Sequence, residues 1–396
     1  MAATLQKIAR VYPNSRVTVA AGDPQSWRKY TTITVTPSLA HWGGNPAQGA
    51  WRKRFWLLPL QLALLGGVAI AYRHFHHSIR LGASWLQQLL AAYYAADVVL
   101  SCGGGNFYAY RRLSPAFLWS MLSVAFALWL GKRVIMLPQS FGPVAGSAQR
   151  LLLAQVLNRV AALFVRDDRS LHFLQTALPG LRIRPHLLPD LAFGLEASAD
   201  APAVLEAQDD RSLQIAITAI DFQQQNPNFS LQVAYEAALV DAIGRLAARR
   251  SIQVHVVAQC TGPSRDQDDR PVAARIHARL CAQQIAATLV DDIQDAQDLV
   301  KFYQQMTVVI GTRMHSGILA LTAGVPTVLI GYQPKAQGMM EMVGLGRCVL
   351  AIDALSGDQL YARVEELLQN HDQLALTIPV RIQELRAQLD TLERYL

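Results

Sequence analysis

The chain has 396 residues, of which 52% are hydrophobic and 16% charged, and its formal net charge is +7. This length allows two ordinary domains or one large one, and the apolar composition argues against a disordered chain. The positive charge favours anionic ligands or surfaces but does not select among them. The four cysteines are widely scattered and form no CxxC pair, so we expect a reduced cytoplasmic protein without a metal site. The N-terminus has no basic start followed by an apolar run, so we expect no signal peptide.

Short β-branched runs alternate with longer helical patterns along most of the chain. Connections long enough for a helical crossover separate them, which predicts parallel sheets covered by helices. The predicted strands are residues 16–21, 97–101, 132–137, 162–166, 213–219, 252–258, 307–311 and 326–331.

An apolar segment at residues 55–72 precedes the second predicted strand and carries no charge over 18 positions. As a helix it would be about 27 Å long, just short of a comfortable transmembrane segment. Basic residues flank both ends, with "RKR" at 52–54 and Arg73 after the segment. A span would place strands of one sheet on opposite sides of the membrane, which disfavours it. A helix lying on the membrane surface and a buried core helix both stay open.

A run rich in alanine and aspartate, residues 197–212, predicts a linker between two similar α/β domains. The N-terminal domain then covers residues 1–196 and the C-terminal domain residues 213–355. Residues 356–396 follow a helical pattern. In sheets of this kind, ligands bind at the carboxyl ends of the strands.

Three motifs in the N-terminal half follow predicted strands. Glycines after the strand at 97–101 let backbone N–H groups approach a ligand, although a tight turn explains them equally well. Polar residues after the next strand are placed to bind a ligand, or they belong to a Pro- and Gly-shaped turn. The residues concerned are Gly103, Gly104, Gly105, Asn106, Gln139 and Ser140.

Arg166 ends the strand of the third motif, "FVRDDRSL". Its guanidinium is suited to grip a carboxylate or phosphate, or it pairs with Asp167 or Asp190. Asp167 or Asp168 is expected to cap the next helix.

The stretch "GTRMHSGILALTAGVPTVLIG" predicts a strand, a helix and a strand. Arg313, His315 and Ser316 fall in the first turn of that helix, where the helix dipole and N–H groups favour an anion. We interpret them as an anion site able to move a proton, against the alternative of an ordinary hydrogen-bonded histidine. Tyr332 and Lys335 follow the second strand.

An acidic loop, "QCTGPSRDQDDRP" at residues 259–271, also closes a strand. We interpret its Asp266, Asp268 and Asp269 as a solvated loop that caps the following helix, and the alternative is contact with sugar hydroxyls or a metal.

Taken together, the chain resembles the polysaccharide pyruvyl transferase family, in its colanic-acid-type exopolysaccharide branch. The motifs concerned are "DVVLSCGGGNF", "LPQSFGPV", "FVRDDRSL", "LPDLAF" and "GTRMHSGILALTAGVPTVLIGYQPKAQGMMEMVGL". The resemblance implies two Rossmann-like domains in a GT-B-like arrangement, with residues 356–396 packing back on the N-terminal domain. It also implies transfer of pyruvate from phosphoenolpyruvate to two hydroxyls of a sugar, giving a cyclic ketal, with no further cofactor. Arg166 and His315 occupy positions that contact the donor in this family, and Met314 occupies the adjacent motif position, where we expect it to help bind the substrate.

Family members usually open with a first, central strand and a "GNxGDE" turn, which this sequence lacks. We interpret the difference as a start codon assigned too late, rather than as a degenerate protein. The acceptor is expected to be a sugar or a lipid-linked oligosaccharide at the inner face of the cell membrane, with peripheral membrane contact and no nucleic-acid partner. Two other functions stay open: a GT-B glycosyltransferase that uses a nucleotide sugar, and a non-catalytic partner in polysaccharide assembly.

Overall fold

The computed structural model describes most of the chain and divides it into two compact units. The N-terminal unit comprises residues 8–190 and 391–396, and the C-terminal unit comprises residues 1–7 and 191–390. The described residues are 1–24, 27, 33–43, 57–112, 114–196, 212–262, 264–293, 295–332 and 335–396. The predicted linker therefore lies outside the described residues except for Ser212, as do the basic triplet at 52–54 and residues 55–56.

A four-stranded parallel sheet in the order β3-β5-β7-β8 lies in the N-terminal unit, beside two separate parallel pairs, β1-β2 and β4-β6. All four strands predicted in this half are confirmed. Four more strands, β2, β4, β6 and β8, were not predicted. The strands are β1 Thr18–Ala21, β2 Thr34–Pro37, β3 Val98–Ser101, β4 Phe107–Ala109, β5 Arg133–Gln139, β6 Phe141–Val144, β7 Ala162–Val165 and β8 His186–Leu187.

In the described part of the chain, six helices precede the predicted linker: α1 Ala2–Val11, α2 Leu58–Phe75, α3 Ser84–Ala95, α4 Pro115–Trp129, α5 Ser147–Leu157 and α6 Asp168–Ala177. Helix α4 supplies much of the core, with Phe117 and Phe126 fully buried. Helix α2 corresponds to the apolar segment, and it is buried on one side only. Among the described residues, no helix has the length and apolar character needed to cross a membrane.

The C-terminal unit contains a six-stranded parallel sheet in the order β11-β10-β9-β12-β13-β14. This is the doubly wound Rossmann order, in which the chain reverses direction across the sheet between β9 and β12. The four predicted strands are confirmed, and β11 and β14 are additional. The strands are β9 Leu213–Thr218, β10 Ile252–Val257, β11 Ala287–Val290, β12 Val308–Gly311, β13 Thr327–Gly331 and β14 Val349–Ala351.

Among the residues described after the predicted linker, eight helices occur: α7 Phe222–Gln225, α8 Gln232–Ala247, α9 Arg270–Ala282, α10 Ala296–Tyr303, α11 Met314–Thr322, α12 Lys335–Met342, α13 Gly357–Gln369 and α14 His371–Asp390. Helices α13 and α14 belong to this unit, and residues 391–396 join the other. Arg386 of α14 donates hydrogen bonds of 3.1 and 3.0 Å to the carbonyls of Phe193 and Leu195. The packing of residues 356–396 back on the N-terminal domain, which the family resemblance implies, stays a prediction.

Candidate functional site

The carboxyl ends of β9 and β12 meet at the point where the strand order reverses, and the first turn of α11 starts there. The Thr218 hydroxyl lies 2.7 Å from that of Ser316, and the Thr312 N–H donates to the Thr218 carbonyl at 3.1 Å. Thr312 also lies 2.7 Å from the Tyr235 hydroxyl, whose pKa is raised by burial. These contacts fix the start of α11 to the core of the sheet.

Gly311 makes the tight turn from β12 into α11 possible. A Cβ at this position would lie 3.0 Å from Cβ of Ser316 and 3.4 Å from the backbone nitrogen of Gly317. Any larger residue would therefore press against the first turn of the helix. The sequence prediction that Arg313, His315 and Ser316 lie in this turn is consistent with the structure, in which Arg313 is the N-cap residue.

Arg313 forms a bidentate ion pair with Asp269, with Nε and Nη2 at 2.7 and 2.6 Å from the two carboxylate oxygens. The Asp269 side chain is 1% exposed and that of Arg313 14%. Burial is the largest single influence and opposes the charge on Arg313, but the hydrogen bonds to Asp269 and the attraction of nearby ionisable groups together outweigh it and raise the pKa of the guanidinium. The reading of Asp269 as part of a solvated loop is thus wrong, because this carboxylate is the buried partner that orients Arg313.

The remaining residues of the predicted C-terminal site differ in exposure. His315 is exposed, while Met314 is 8% exposed and Ser316 fully buried. Ser316 also donates a short hydrogen bond to Oε1 of Gln259, a residue that the sequence did not single out. Lys335 is half-buried at the start of α12.

Tyr332 is half-buried beside Arg313. Burial raises the pKa of its hydroxyl, and the positive charge of Arg313 opposes that rise. The first turn of α11 thus presents an exposed imidazole close to a fixed guanidinium.

In the N-terminal unit, Arg166 connects three strand-end segments. Its Nε donates to the Ser140 hydroxyl at 2.8 Å, Nη1 lies 2.5 Å from Asp190, and Nη2 lies 3.5 Å from the Gly104 carbonyl. Of the two readings of Arg166, the structure shows the salt bridge to Asp190. Asp167 caps α6 by accepting from the Ser170 N–H, as expected, and its other oxygen accepts from Ser140.

The glycine-rich loop after β3 approaches β5 closely. A Cβ on Gly103 would lie 2.6 Å from the Pro138 carbonyl oxygen, so this position requires glycine. Gly105 and Asn106 are exposed on the same loop. Gln139 is fully buried, and its side-chain oxygen has no hydrogen-bond partner, an arrangement that costs stability unless a ligand completes it.

Tyr108 is a residue of this cluster that the sequence did not signal. It lies beside Gly105 and the Ser140 hydroxyl, and burial raises the pKa of its own hydroxyl while the bond to Ser140 lowers it. Only its position three residues beyond the last of the glycines, Gly105, hinted at a role. Across the described ranges, no group of three or more His, Cys, Asp or Glu side chains is arranged to hold a metal ion.

The strand-end residues and the Rossmann strand order are consistent with the chain's match to a known protein family. Residues 1–334 match the family of polysaccharide pyruvyl transferases. The chain belongs to the polysaccharide pyruvyl transferase family. Membership implies a role in the modification of polysaccharides. One relative of the chain is the amylovoran biosynthesis protein AmsJ of Erwinia amylovora. It is 27% identical over 311 residues, covering 76% of this chain and 72% of that protein.

Solved structures of glycosyltransferases share the fold of this family member. The glycosyltransferase of kitacinnamycin has a TM-score of 0.51 at 15% identity, covering all of this chain and 94% of that one. A UDP-glucosyltransferase from Polygonum tinctorium also scores 0.51, at 13% identity, with coverage of 97% and 90%. These similarities confirm the predicted GT-B-like α/β fold class.

Proposed function

We propose that this chain transfers pyruvate from phosphoenolpyruvate to two hydroxyls of one sugar in a polysaccharide or its lipid-linked precursor. The enol CH2 carbon of the donor takes the proton of the first hydroxyl, and that hydroxyl's oxygen bonds to C2. The C2–O bond to phosphate then breaks, and the second hydroxyl oxygen closes the ketal. Its proton leaves with the phosphate, so the products are a cyclic ketal and inorganic phosphate.

The observation that best supports this proposal is the pairing of a fixed arginine and an exposed histidine at the start of α11. Phosphoenolpyruvate carries a carboxylate and a phosphate, and it needs several cationic or N–H donors. A helix start supplies N–H groups that have no acceptor within the helix, together with the positive end of its dipole. The Asp269 carboxylate holds the Arg313 guanidinium in one orientation, so little reorganisation is needed when the donor binds.

We assign proton transfer to His315. The side chain is exposed in the first turn of α11, and an imidazole changes charge near neutral pH. It would take a proton from a sugar hydroxyl or deliver one to the departing phosphate. In this proposal Tyr332 and Lys335, which follow β13, contribute further hydrogen-bond donors to phosphoenolpyruvate.

Within the N-terminal unit, the loop beside Arg166 presents groups that suit a sugar hydroxyl. Gly105 and Asn106 are exposed there, and an asparagine side chain can both donate and accept hydrogen bonds. Arg166 shapes this cluster by holding Ser140 and the Gly104 carbonyl. The donor contact that the family resemblance implies for Arg166 stays a prediction.

Replacing His315 tests the proposal, with His371 as a matched control because it also lies in the first turn of a helix, α14, away from strand ends. Transfer is measured as pyruvate released by mild acid from the product. We expect His315→Ala to lower the transfer rate by a factor of about 10² to 10⁴, and His371→Ala to leave it unchanged. Equal transfer rates in both variants would refute the assignment of proton transfer to His315.

A further inference from the structure

Helix α2 in the N-terminal unit is buried on one face and apolar on the other. Gln61, Leu65, Val68 and Ala69 face the core. The opposite side of the helix, together with Leu57 just before it, forms what we call the apolar face of α2. It consists of the exposed residues Leu57, Pro59, Leu60, Leu62, Ala63, Leu64, Gly67 and Ile70.

The exposure of the apolar face is large for side chains of this type. Leu60 is 67% exposed, Ile70 57% and Leu57 48%. Between residues 57 and 72 the only polar side chains are Gln61, which is buried, and Tyr72, which is half-buried and donates to the Tyr94 carbonyl. The apolar face therefore presents no side-chain hydrogen-bonding group along about 20 Å of helix.

Basic and aromatic residues collect at the C-terminal end of α2. Arg73 and Arg80 are exposed, and so are Phe75 and the histidines 74, 76 and 77. Lys132, which follows α4, lies 3.1 Å from the Tyr72 hydroxyl, so the end of α4 lies beside this end of α2. There Trp129 is 37% exposed. Aromatic rings next to cationic side chains are typical of a segment at a lipid–water interface.

The charged residues before and after α2 in the sequence are almost all basic. From residue 24 to residue 166 the sequence contains fourteen lysines and arginines but one acidic residue, Asp97. The rest of the chain holds more acidic than basic residues. The +7 net charge is thus concentrated in the unit that contains α2, where it complements an anionic surface.

We propose that the apolar face of α2 rests on the surface of an anionic phospholipid bilayer. The helix would lie in the plane of the interface with its leucines among the acyl chains and Arg73 and Arg80 at the headgroups. A protein partner fits less well, because protein interfaces contain about one hydrogen bond per 100–200 Å² and this face offers no side chain to form one. The inference goes beyond the proposed function and holds whether or not the chain transfers pyruvate.

The test is co-sedimentation of the full-length chain with vesicles of phosphatidylcholine, with and without phosphatidylglycerol. The altered protein carries Leu60→Glu and Ile70→Glu. The matched control carries Leu376→Glu and Val380→Glu, which change two apolar residues of α14 with exposures of 75% and 53%. All four positions are exposed, so both proteins should keep the wild-type thermal melt, which circular dichroism checks.

We expect the wild type and the control to bind anionic vesicles alike, and the α2 variant to bind at least about tenfold more weakly. Arg73→Gln and Arg80→Gln should each weaken binding about fivefold on anionic vesicles only, and added salt should reduce the effect. Absence of wild-type binding, or equal binding by the α2 variant and the control, would overturn the proposal. So would a wild-type dimer that the α2 variant dissociates without any vesicle binding, because the face would then belong to a second copy.

Discussion

Replacing Asp269 by asparagine tests whether a buried charge partner orients Arg313. The substitution keeps the size of the side chain and removes its charge. Arg313 is then left largely buried without a carboxylate, although its 14% exposure lets water reach part of the guanidinium. The carboxylate also accepts from the Cys260 N–H at 2.9 Å, a bond that an asparagine oxygen can keep. The measured effect should therefore report mainly on the ion pair.

Breaking one partner of a buried ion pair costs about 3–5 kcal/mol. Because Arg313 keeps some contact with water, we expect Asp269→Asn to lower the free energy of unfolding by about 3 kcal/mol, at the lower end of that range. The control is Asp358→Asn, which breaks the pair between Asp358 and Arg245, whose side chains are 76% and 44% exposed. An exposed pair contributes at most about 1 kcal/mol.

Urea unfolding followed by circular dichroism measures both variants. A third protein with Asp269→Asn and Arg313→Met removes both charges, and it should lose less stability than the sum of the two single changes. If Asp269→Asn costs no more than Asp358→Asn, or if the two changes simply add, the pair does not hold Arg313 in place and the preorganised donor site is refuted.

Two further outcomes follow from the structure. Burial lowers the pKa of His255 from its ordinary 6.5 to about 4; the unfolded chain therefore takes up the proton first, and stability is full above pH 6.5 and falls as the pH drops from 6.5 towards 4. Protonation of His255 lowers the free energy of unfolding by at most about 3 kcal/mol across this pH window. The free energy of unfolding of His255→Gln should therefore change less between pH 6.5 and 4 than that of the wild type. An unchanged slope would show that His255 does not cause the loss of stability. Gly103→Ala places a Cβ 2.6 Å from the Pro138 carbonyl and should displace the glycine-rich loop and lower transfer, whereas Gly66→Ala, with open space around it, should leave transfer unchanged. Equal transfer by these two alanine variants would show that the loop's close approach to β5 does not matter.

Strand periodicity and strand-end motifs predicted much of this fold. The eight predicted strands all occur because each is a run of apolar, mostly β-branched residues followed by a turn. The short strands, such as His186–Leu187, form through pairing with a neighbour and have no pattern of their own. The helical pattern of residues 356–396 predicted helices there, and α13 and α14 occur, but such a pattern does not reveal the surface that a helix covers.

The sequence identified residues of the candidate site better than it identified the contacts between them. The sequence placed Arg166 and Arg313 at strand ends and offered Asp190 as an alternative partner of Arg166, but it did not predict that Asp269 pairs with Arg313. Asp190 lies 24 positions from Arg166 and Asp269 lies 44 positions from Arg313. No local pattern links residues so far apart, and only the folded sheet brings them together.

Isothermal titration of the full-length chain shows whether phosphoenolpyruvate is the donor, with UDP-glucose as the comparison ligand. We expect saturable binding of phosphoenolpyruvate with a dissociation constant between about 1 μM and 1 mM, the usual range for enzyme substrates, and no binding of UDP-glucose. Saturable binding of UDP-glucose without binding of phosphoenolpyruvate would contradict the proposed function and would favour a nucleotide-sugar glycosyltransferase.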